Sequence, residues 1–269
     1  MAKLYDRPEI CRTYFFPQPA RPLPTKDTAA PVDLHLPDGT RLGAYWSHPL
    51  DGAPTLLYVH GNGECIADQL HHWPDWARYA GANIFFVDYP GYASSDGKPT
   101  FTSCRQTARA ALDFLLDQEE DKVPAVVVMG RSVGSIFALD AVAQTSSTRL
   151  AGLALESGIA DVGQRLDIRV PYDQLGLNRR AVHAELNEDF DHEAKLRALR
   201  CPVLILHTRH DSLVPAENSE RLANWAGPNL LRLLLFEQGD HNDIQWVNEP
   251  AYRAALTEFI GASTRKSSR

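Results

Sequence analysis

Apolar positions along this chain fall into short continuous runs rather than one long block. "TLLYV" (55–59), "NIFFV" (83–87), "AVVVM" (125–129), "LAGLAL" (150–155), "VLIL" (203–206) and "LLRLLLF" (230–236) each have the length of a strand. Uninterrupted apolarity in so short a segment predicts a strand covered on both faces. Between the runs the period changes. Ala108, Ala111, Leu112 and Leu115 repeat as one helix face, and Ser103 with Gln106 reads as its capping box. Near the end, Pro250 suits a first helical turn, Tyr252, Ala255, Leu256, Phe259 and Ile260 share a face, and Gly261 is a stop signal. Upstream, "VDLHL" and "RLGAYW" flank Pro37-Asp38-Gly39-Thr40, a tight-turn sequence that predicts a hairpin.

Strands alternating with helices imply a mostly parallel sheet of about eight strands flanked by helices, an α/β architecture in a single domain. Residues 158–197 break the alternation with mixed charge between the sixth and seventh strands, and read as a small cap insertion. Residues 1–30 carry five prolines and are expected to run over the surface as an arm, with Tyr14, Phe15 and Phe16 available to anchor it. Residues 262–269, "ASTRKSSR", read as a flexible tail.

Composition narrows the function. A formal net charge of -7 provides no basic footprint for nucleic acid. The N-terminal stretch lacks the apolar core of a signal peptide, and no run approaches the roughly 20 residues that span a bilayer. Cys11, Cys65, Cys104 and Cys201 are widely spaced with no C-x-x-C pair, which argues for buried free thiols and a reducing, cytoplasmic setting. Oligomeric state is not legible.

The chemistry begins at Gly130-Arg131-Ser132-Val133-Gly134, where a strand passes into a helix. This is the arrangement of a nucleophile elbow: a sharp turn holds the serine in a strained conformation, and glycines two residues to either side relieve the crowding. Ser132 would otherwise be only a helix cap. A serine nucleophile needs an imidazole base and a carboxylate to orient it. Asp211 follows the strand at 203–206, and His241 lies in the loop after 230–236, in the order Ser132, Asp211, His241 that this scaffold uses. Asp161 is the rival acid. His207 and His210 are rival bases, but one sits inside a strand end and the other directly precedes Asp211, so neither is expected to face that carboxylate.

Two backbone amides must meet the charge of a tetrahedral intermediate, at about 2.7 to 3.1 Å. Val133 N–H is one candidate. Asn62 N–H, in the turn made by Gly61 and Gly63, is the other, with His60 packed beneath as a structural residue. Arg131 is read as a structural partner of Glu156 or Asp161 rather than a substrate ligand. Arg165, Arg169, Arg179 and Arg180 could recognise a carboxylate, though a solvated helix face is the default. Trp46, Trp73, Trp76, Trp225 and Trp246 are read as packing residues. His207, His210 and Asp211, or His71 and His72, lack a third ligand at compelling spacing, so no metal and no cofactor is expected.

With "HGNG", "DYPGYASSDG", "GRSVGS", "HTRHDSLVP" and "GDHND" in this order, the chain after residue 30 resembles the α/β-hydrolase superfamily, in its serine-aminopeptidase-like or bud-emergence-like branch. That resemblance implies Ser132 as nucleophile, His241 as base and Asp211 as acid, with Asn62 and Val133 supplying amides. Ala93 departs from the glycine common in "GYGxS". The implied activity is hydrolysis of a small-molecule ester or acylated substrate through an acyl-enzyme. A thioesterase, a peptidase-like amide hydrolase and a non-catalytic binding protein are the alternatives.

Overall fold

The computed structural model describes residues 3–21 and 29–266. Eight strands form one sheet: β1 (Ala29–His35), β2 (Arg41–Ser47), β3 (Thr55–Val59), β4 (Asn83–Val87), β5 (Val126–Arg131), β6 (Leu150–Glu156), β7 (Val203–Thr208) and β8 (Leu230–Phe236). Their spatial order is β1-β2-β4-β3-β5-β6-β7-β8. β1 and β4 both pair antiparallel with β2, and the pairs from β4 through β3 to β8 are parallel. The helices are α1 (Pro8–Tyr14), α2 (Ile66–Gln69), α3 (Trp73–Tyr79), α4 (Phe101–Leu116), α5 (Gly134–Ala143), α6 (Val162–Asp167), α7 (Arg179–Asp189), α8 (His192–Ala198), α9 (Glu217–Ala226), α10 (Ile244–Val247) and α11 (Glu249–Lys266).

The apolar runs serve two cores at once. Leu57, Val59, Phe85, Val87, Val126, Val128, Leu153 and Ile205 point into one, while Leu56, Tyr58, Ile84, Phe86, Val127, Met129, Ala154 and Leu204 point into the other. Successive side chains leave a strand on opposite faces, so a strand covered on both sides must be apolar at every position. β8 is the exception. It lies at the edge of the sheet, and Leu231 and Arg232 are exposed despite the apolar run around them.

Strand order reverses between β3 and β5, because β4 lies on the far side of β3. In open parallel sheets the loops leaving such a point diverge and open a crevice at the carboxyl ends of the strands. The loop holding Asn62 leaves β3, and Ser132 leaves β5.

Two expected boundaries move. The capping box of α4 is made by Thr100 and Ser103, not Ser103 and Gln106: Thr100 Oγ1 accepts Ser103 N–H at 3.0 Å and Ser103 Oγ accepts Thr100 N–H at 2.9 Å. The earlier start places Phe101 and Cys104 in the core. Gly261 does not end α11, because Ser263 is buried and the Thr264 hydroxyl donates to Ile260 O at 2.9 Å, so packing carries the helix through the weak position. The amino-terminal arm is not loose where it is described. Tyr5, Ile10, Tyr14 and Phe15 are buried, Phe16 is exposed, and Lys3 pairs with Asp189 of α7 at 2.7 Å. Residues 1–2, 22–28 and 267–269 lie outside the described residues, and with them part of the Pro-rich arm and the last residues of the tail.

Residues 158–197 form α6, α7 and most of α8, and carry more core than their charge suggests. Val162, Leu166, Tyr172, Val182, Leu186 and Phe190 are buried. Asp140 of α5, almost fully buried, draws α4 and α8 together through Arg105 at 2.8 Å and Lys195 at 2.6 Å. The four cysteines are free and buried. Among the described residues no helix is long and apolar enough to cross a membrane.

Thr100→Ala is expected to lower stability by about 1 kcal/mol, the usual worth of an N-cap, whereas Gln106→Ala, at an exposed position, leaves it nearly unchanged. Urea melts of the two variants measure this. Equal losses would return the cap to Ser103 and Gln106.

Candidate active site

Ser132 leaves β5 with φ 51°, a left-handed conformation that a non-glycine residue adopts only under constraint. The constraint is close packing. A Cβ on Gly134 would lie 2.6 Å from His60 O and closer still to Val59 O, and one on Gly130 would lie 2.6 Å from Gly134 O. Glycine alone lets the strand–helix turn press against the end of β3. Ser132 N–H is bonded to Glu156 O at 2.8 Å, so the neighbouring strand holds the turn as well.

The structure brings Ser132, His241 and Asp211 together. Ser132 Oγ lies 2.9 Å from His241 Nε2, and His241 Nδ1 lies 2.7 Å from Asp211 Oδ2. In the neutral tautomer that this geometry favours, Nδ1–H donates to the carboxylate and Nε2 accepts the serine proton. All three side chains are more than nine-tenths buried. Asp211 Oδ1 accepts the amides of Leu213 at 2.9 Å and Val214 at 2.7 Å. Burial alone would raise this carboxyl, but hydrogen bonds from His207 and His241, the His241 charge and the Val214 amide outweigh it and hold it well below the ordinary carboxylate range.

His207 corrects an expectation. Its Nε2 is 3.2 Å from Asp211 Oδ2 and 2.8 Å from Val214 O, and its Nδ1 is 2.5 Å from Ser219 Oγ. Although His207 lies in β7, the turn after the strand folds Asp211 back over its ring. Asp211 is thus flanked by two imidazoles, and only His241 reaches the serine. The other rivals lie elsewhere: Asp161 caps α6 by accepting Gln164 N–H at 2.9 Å, and His210 is exposed. Among the described residues no group of three or more His, Cys, Asp or Glu side chains could hold a metal ion.

Val133 directly precedes the first turn of α5, whose unpaired amides make this end partly positive. Asn62 is fixed through its side chain, which donates from Nδ2 to Tyr14 O at 2.6 Å and accepts at Oδ1 from Phe16 N–H at 2.9 Å and Tyr92 O–H at 2.7 Å. Among the described residues no acceptor takes the Val133 or Asn62 amide. His60 is buried beneath the loop with Nδ1 2.8 Å from Gly61 O, the structural position expected of it. Burial pushes His60 below the ordinary imidazole range and its neighbour Asp88, 3.5 Å away, above the ordinary carboxylate range, so desolvation disfavours the charged form of each. Ala93 keeps φ at 43° in place of glycine, held by its N–H to Gln18 O at 2.7 Å. That conformation costs an L-residue roughly 1–2 kcal/mol.

Residues 53–216, more than half of the chain, match the family described as Chlamydia CHLPS protein (DUF818). The chain belongs to that family. It is also similar to the uncharacterized protein YfhR of Escherichia coli strain K12, 24% identical over 96% of this chain and 89% of YfhR. Protein bem46 of Schizosaccharomyces pombe is 26% identical over 79% of this chain and 70% of its own length. Among solved structures, the Pyrococcus furiosus esterase Pf2001 superimposes with a TM-score of 0.71 at 16% identity, covering 92% of this chain and 100% of that one. The fold is that of the α/β-hydrolase superfamily, the one its motifs resemble.

Sequence reasoning missed how the loops of this family member are tied together. Asp240 accepts Ser212 N–H and Ser212 O–H, each at 2.7 Å, joining the loop of Asp211 to that of His241. Arg131 does more than pair with Glu156, whose Oε1 accepts its Nε–H at 2.9 Å. It also donates to His241 O at 2.7 Å and pairs with Glu64, which accepts Gly61 N–H at 3.1 Å. One guanidinium therefore joins the elbow strand, the loop after β3 and the histidine loop. Glu156 is fully buried and further bonded by Gln245 and Tyr252. The adjacency of Arg131 to the elbow serine was the one signal available; its partners are remote in sequence.

Arg131→Met is expected to cost about 3–5 kcal/mol, because Glu156 and Glu64 would be left without their buried counter-charge. Adding Glu156→Gln is expected to recover part of that loss in a chemical-denaturation double-mutant cycle. Strictly additive costs would show that the two residues act independently.

Proposed function

We propose that this protein is a serine hydrolase that cleaves carboxylic esters through an acyl-enzyme, with Ser132 as nucleophile, His241 as general base and acid, and Asp211 as the group that orients and charge-balances His241. The observation that carries this reading is the unbroken run of hydrogen-bond contacts from Ser132 Oγ through His241 to Asp211, starting at a serine held with φ 51°. The esterase name of the structurally similar Pyrococcus furiosus protein supports it at the level of the fold.

In the first half-reaction Ser132 Oγ bonds to the ester carbonyl carbon while His241 Nε2 takes the hydroxyl proton. The carbonyl oxygen becomes an oxyanion, and the amides of Val133 and Asn62 are the donors assigned to it. Collapse breaks the carbon–oxygen bond to the leaving group, which receives the proton from His241. Water then repeats the sequence on the acyl-serine, releasing the carboxylic acid and restoring Ser132. Asp211 remains ionised throughout, as its depressed pKa requires, and stabilises the imidazolium formed in each half. Residues 158–197 are assigned the role of a cap over this site, since Arg165 of α6 donates to Leu213 O at 2.7 Å beside Asp211.

A fluorophosphonate probe is expected to label native protein at Ser132 and to leave Ser132→Ala unlabelled, as read by intact mass. Asp211→Asn is expected to retain the fold and lower kcat on 4-nitrophenyl esters by roughly 10^4-fold. Absence of labelling in native, folded protein would overturn the assignment.

A further inference from the structure

α6 and the turn that continues from it carry two guanidiniums one helical turn apart, Arg165 and Arg169. Their surroundings differ from those of Arg179 of α7 and Arg221 of α9. Arg179 is paired with Asp167 and Arg221 lies 3.8 Å from Asp161, but among the described residues no carboxylate forms an ion pair with Arg165 or Arg169. Arg165 spends one N–H on a neutral acceptor, Leu213 O at 2.7 Å, and Arg169 lies over the Phe16 ring at 4.9 Å. Neither contact neutralises a charge.

These contacts place both cations on the rim of the serine site. From Arg169 the chain of contacts passes to Phe16, whose N–H donates to Asn62, and Asn62 in turn donates to Tyr14 O. From Arg165 it passes to Leu213, whose N–H donates to Asp211, and so through His241 to Ser132. The two arms start one helical turn apart, at Arg165 and Arg169, and end at the Asp211 loop and the Asn62 loop. Phe16, Leu213 and Ile168, large apolar side chains on the same segments, are exposed.

The rim also holds unspent hydrogen-bonding capacity. The Tyr14 hydroxyl is buried and has no partner, and it lies within the fields of both guanidiniums. Burial, with repulsion from Arg169, pulls Arg165 below its ordinary value, while the Asp211 carboxylate that acts on it favourably is already engaged by two imidazoles. Paired, partly desolvated cations without a counter-ion are an unfavourable arrangement that an anion would relieve. Guanidinium forks match the oxygens of carboxylate and phosphate.

We infer that Arg165 and Arg169 form an anion subsite at the mouth of the Ser132 site, and that the preferred substrate is an ester with an apolar portion and a carboxylate or phosphate group. This rests on the ester-hydrolase reading above. It adds the substrate class: an anionic acyl ester rather than a neutral one.

The test uses three 4-nitrophenyl esters of matched acyl length whose far ends carry a carboxylate, a phosphonate or a neutral methyl ester. The full chain is expected to show kcat/KM at least tenfold higher for an anionic ester than for the neutral one, and the better of the two anions identifies the head group. Arg165→Gln with Arg169→Gln is expected to reduce that ratio at least tenfold, and the double lysine variant to restore part of it. Arg169→Gln alone, which removes no hydrogen bond, is expected to lower the ratio severalfold and guards against misfolding of the double variant. A native ratio near one, or variants that lower all three esters in proportion, would overturn the subsite while leaving the hydrolase reading intact. If native protein cleaves none of the esters and resists the fluorophosphonate, the hydrolase reading fails and the subsite falls with it.

Discussion

Everything at this site depends on how closely the turn after β5 approaches the end of β3. Gly134 packs against the carbonyls of Val59 and His60 at a separation that no Cβ could occupy, and this contact holds Ser132 in its left-handed conformation. A serine in an ordinary strand-to-helix loop would relax, and its hydroxyl would have no fixed direction. Here the turn is held on both sides, by β3 through Gly134 and by β6 through the bond from Ser132 N–H to Glu156 O. The sheet thus supplies rigidity where the chemistry requires a side chain with little freedom.

Around that turn the loops are joined by polar bonds rather than by regular structure. Arg131 bonds Glu64, Glu156 and the His241 carbonyl, Asp240 joins the Asp211 and His241 loops, and Asn62 is tied to the amino-terminal segment and Tyr92. Buried charges of this kind add little net stability, since desolvation offsets most of the Coulomb attraction. Their value is positional: each link removes a degree of freedom from a loop at the candidate site. Arg165 and Arg169 contrast with them, forming no ion pair among the described residues.

The parallel strands were legible because a strand covered on both faces must be apolar throughout, and the motifs at their carboxyl ends placed Ser132, Asp211 and His241 at one edge. β8 kept its expected range but not its burial, since a run of leucines reads alike at the edge or the centre of a sheet. The start of α4 and the end of α11 moved because tertiary packing, through Phe101 and Ser263, outweighed local capping and stop signals. His207 was misjudged for a geometric reason. Position within a strand says nothing about a turn that returns over it, and the Asp211 turn does so by accepting the Leu213 and Val214 amides. Glu156 was read as a partner of Arg131 and is one, but Glu64, the His241 carbonyl and the partners of Asn62 were beyond any local pattern.

The most direct test of the site is a crystal structure of the protein with a phosphonate ester bound covalently to Ser132. The account predicts that the phosphoryl oxygen lies about 2.7 to 3.1 Å from the amides of both Val133 and Asn62, with His241 still bonded to Asp211. An adduct whose oxygen faces away from both amides, with Ser132 moved out of its left-handed conformation, would contradict it.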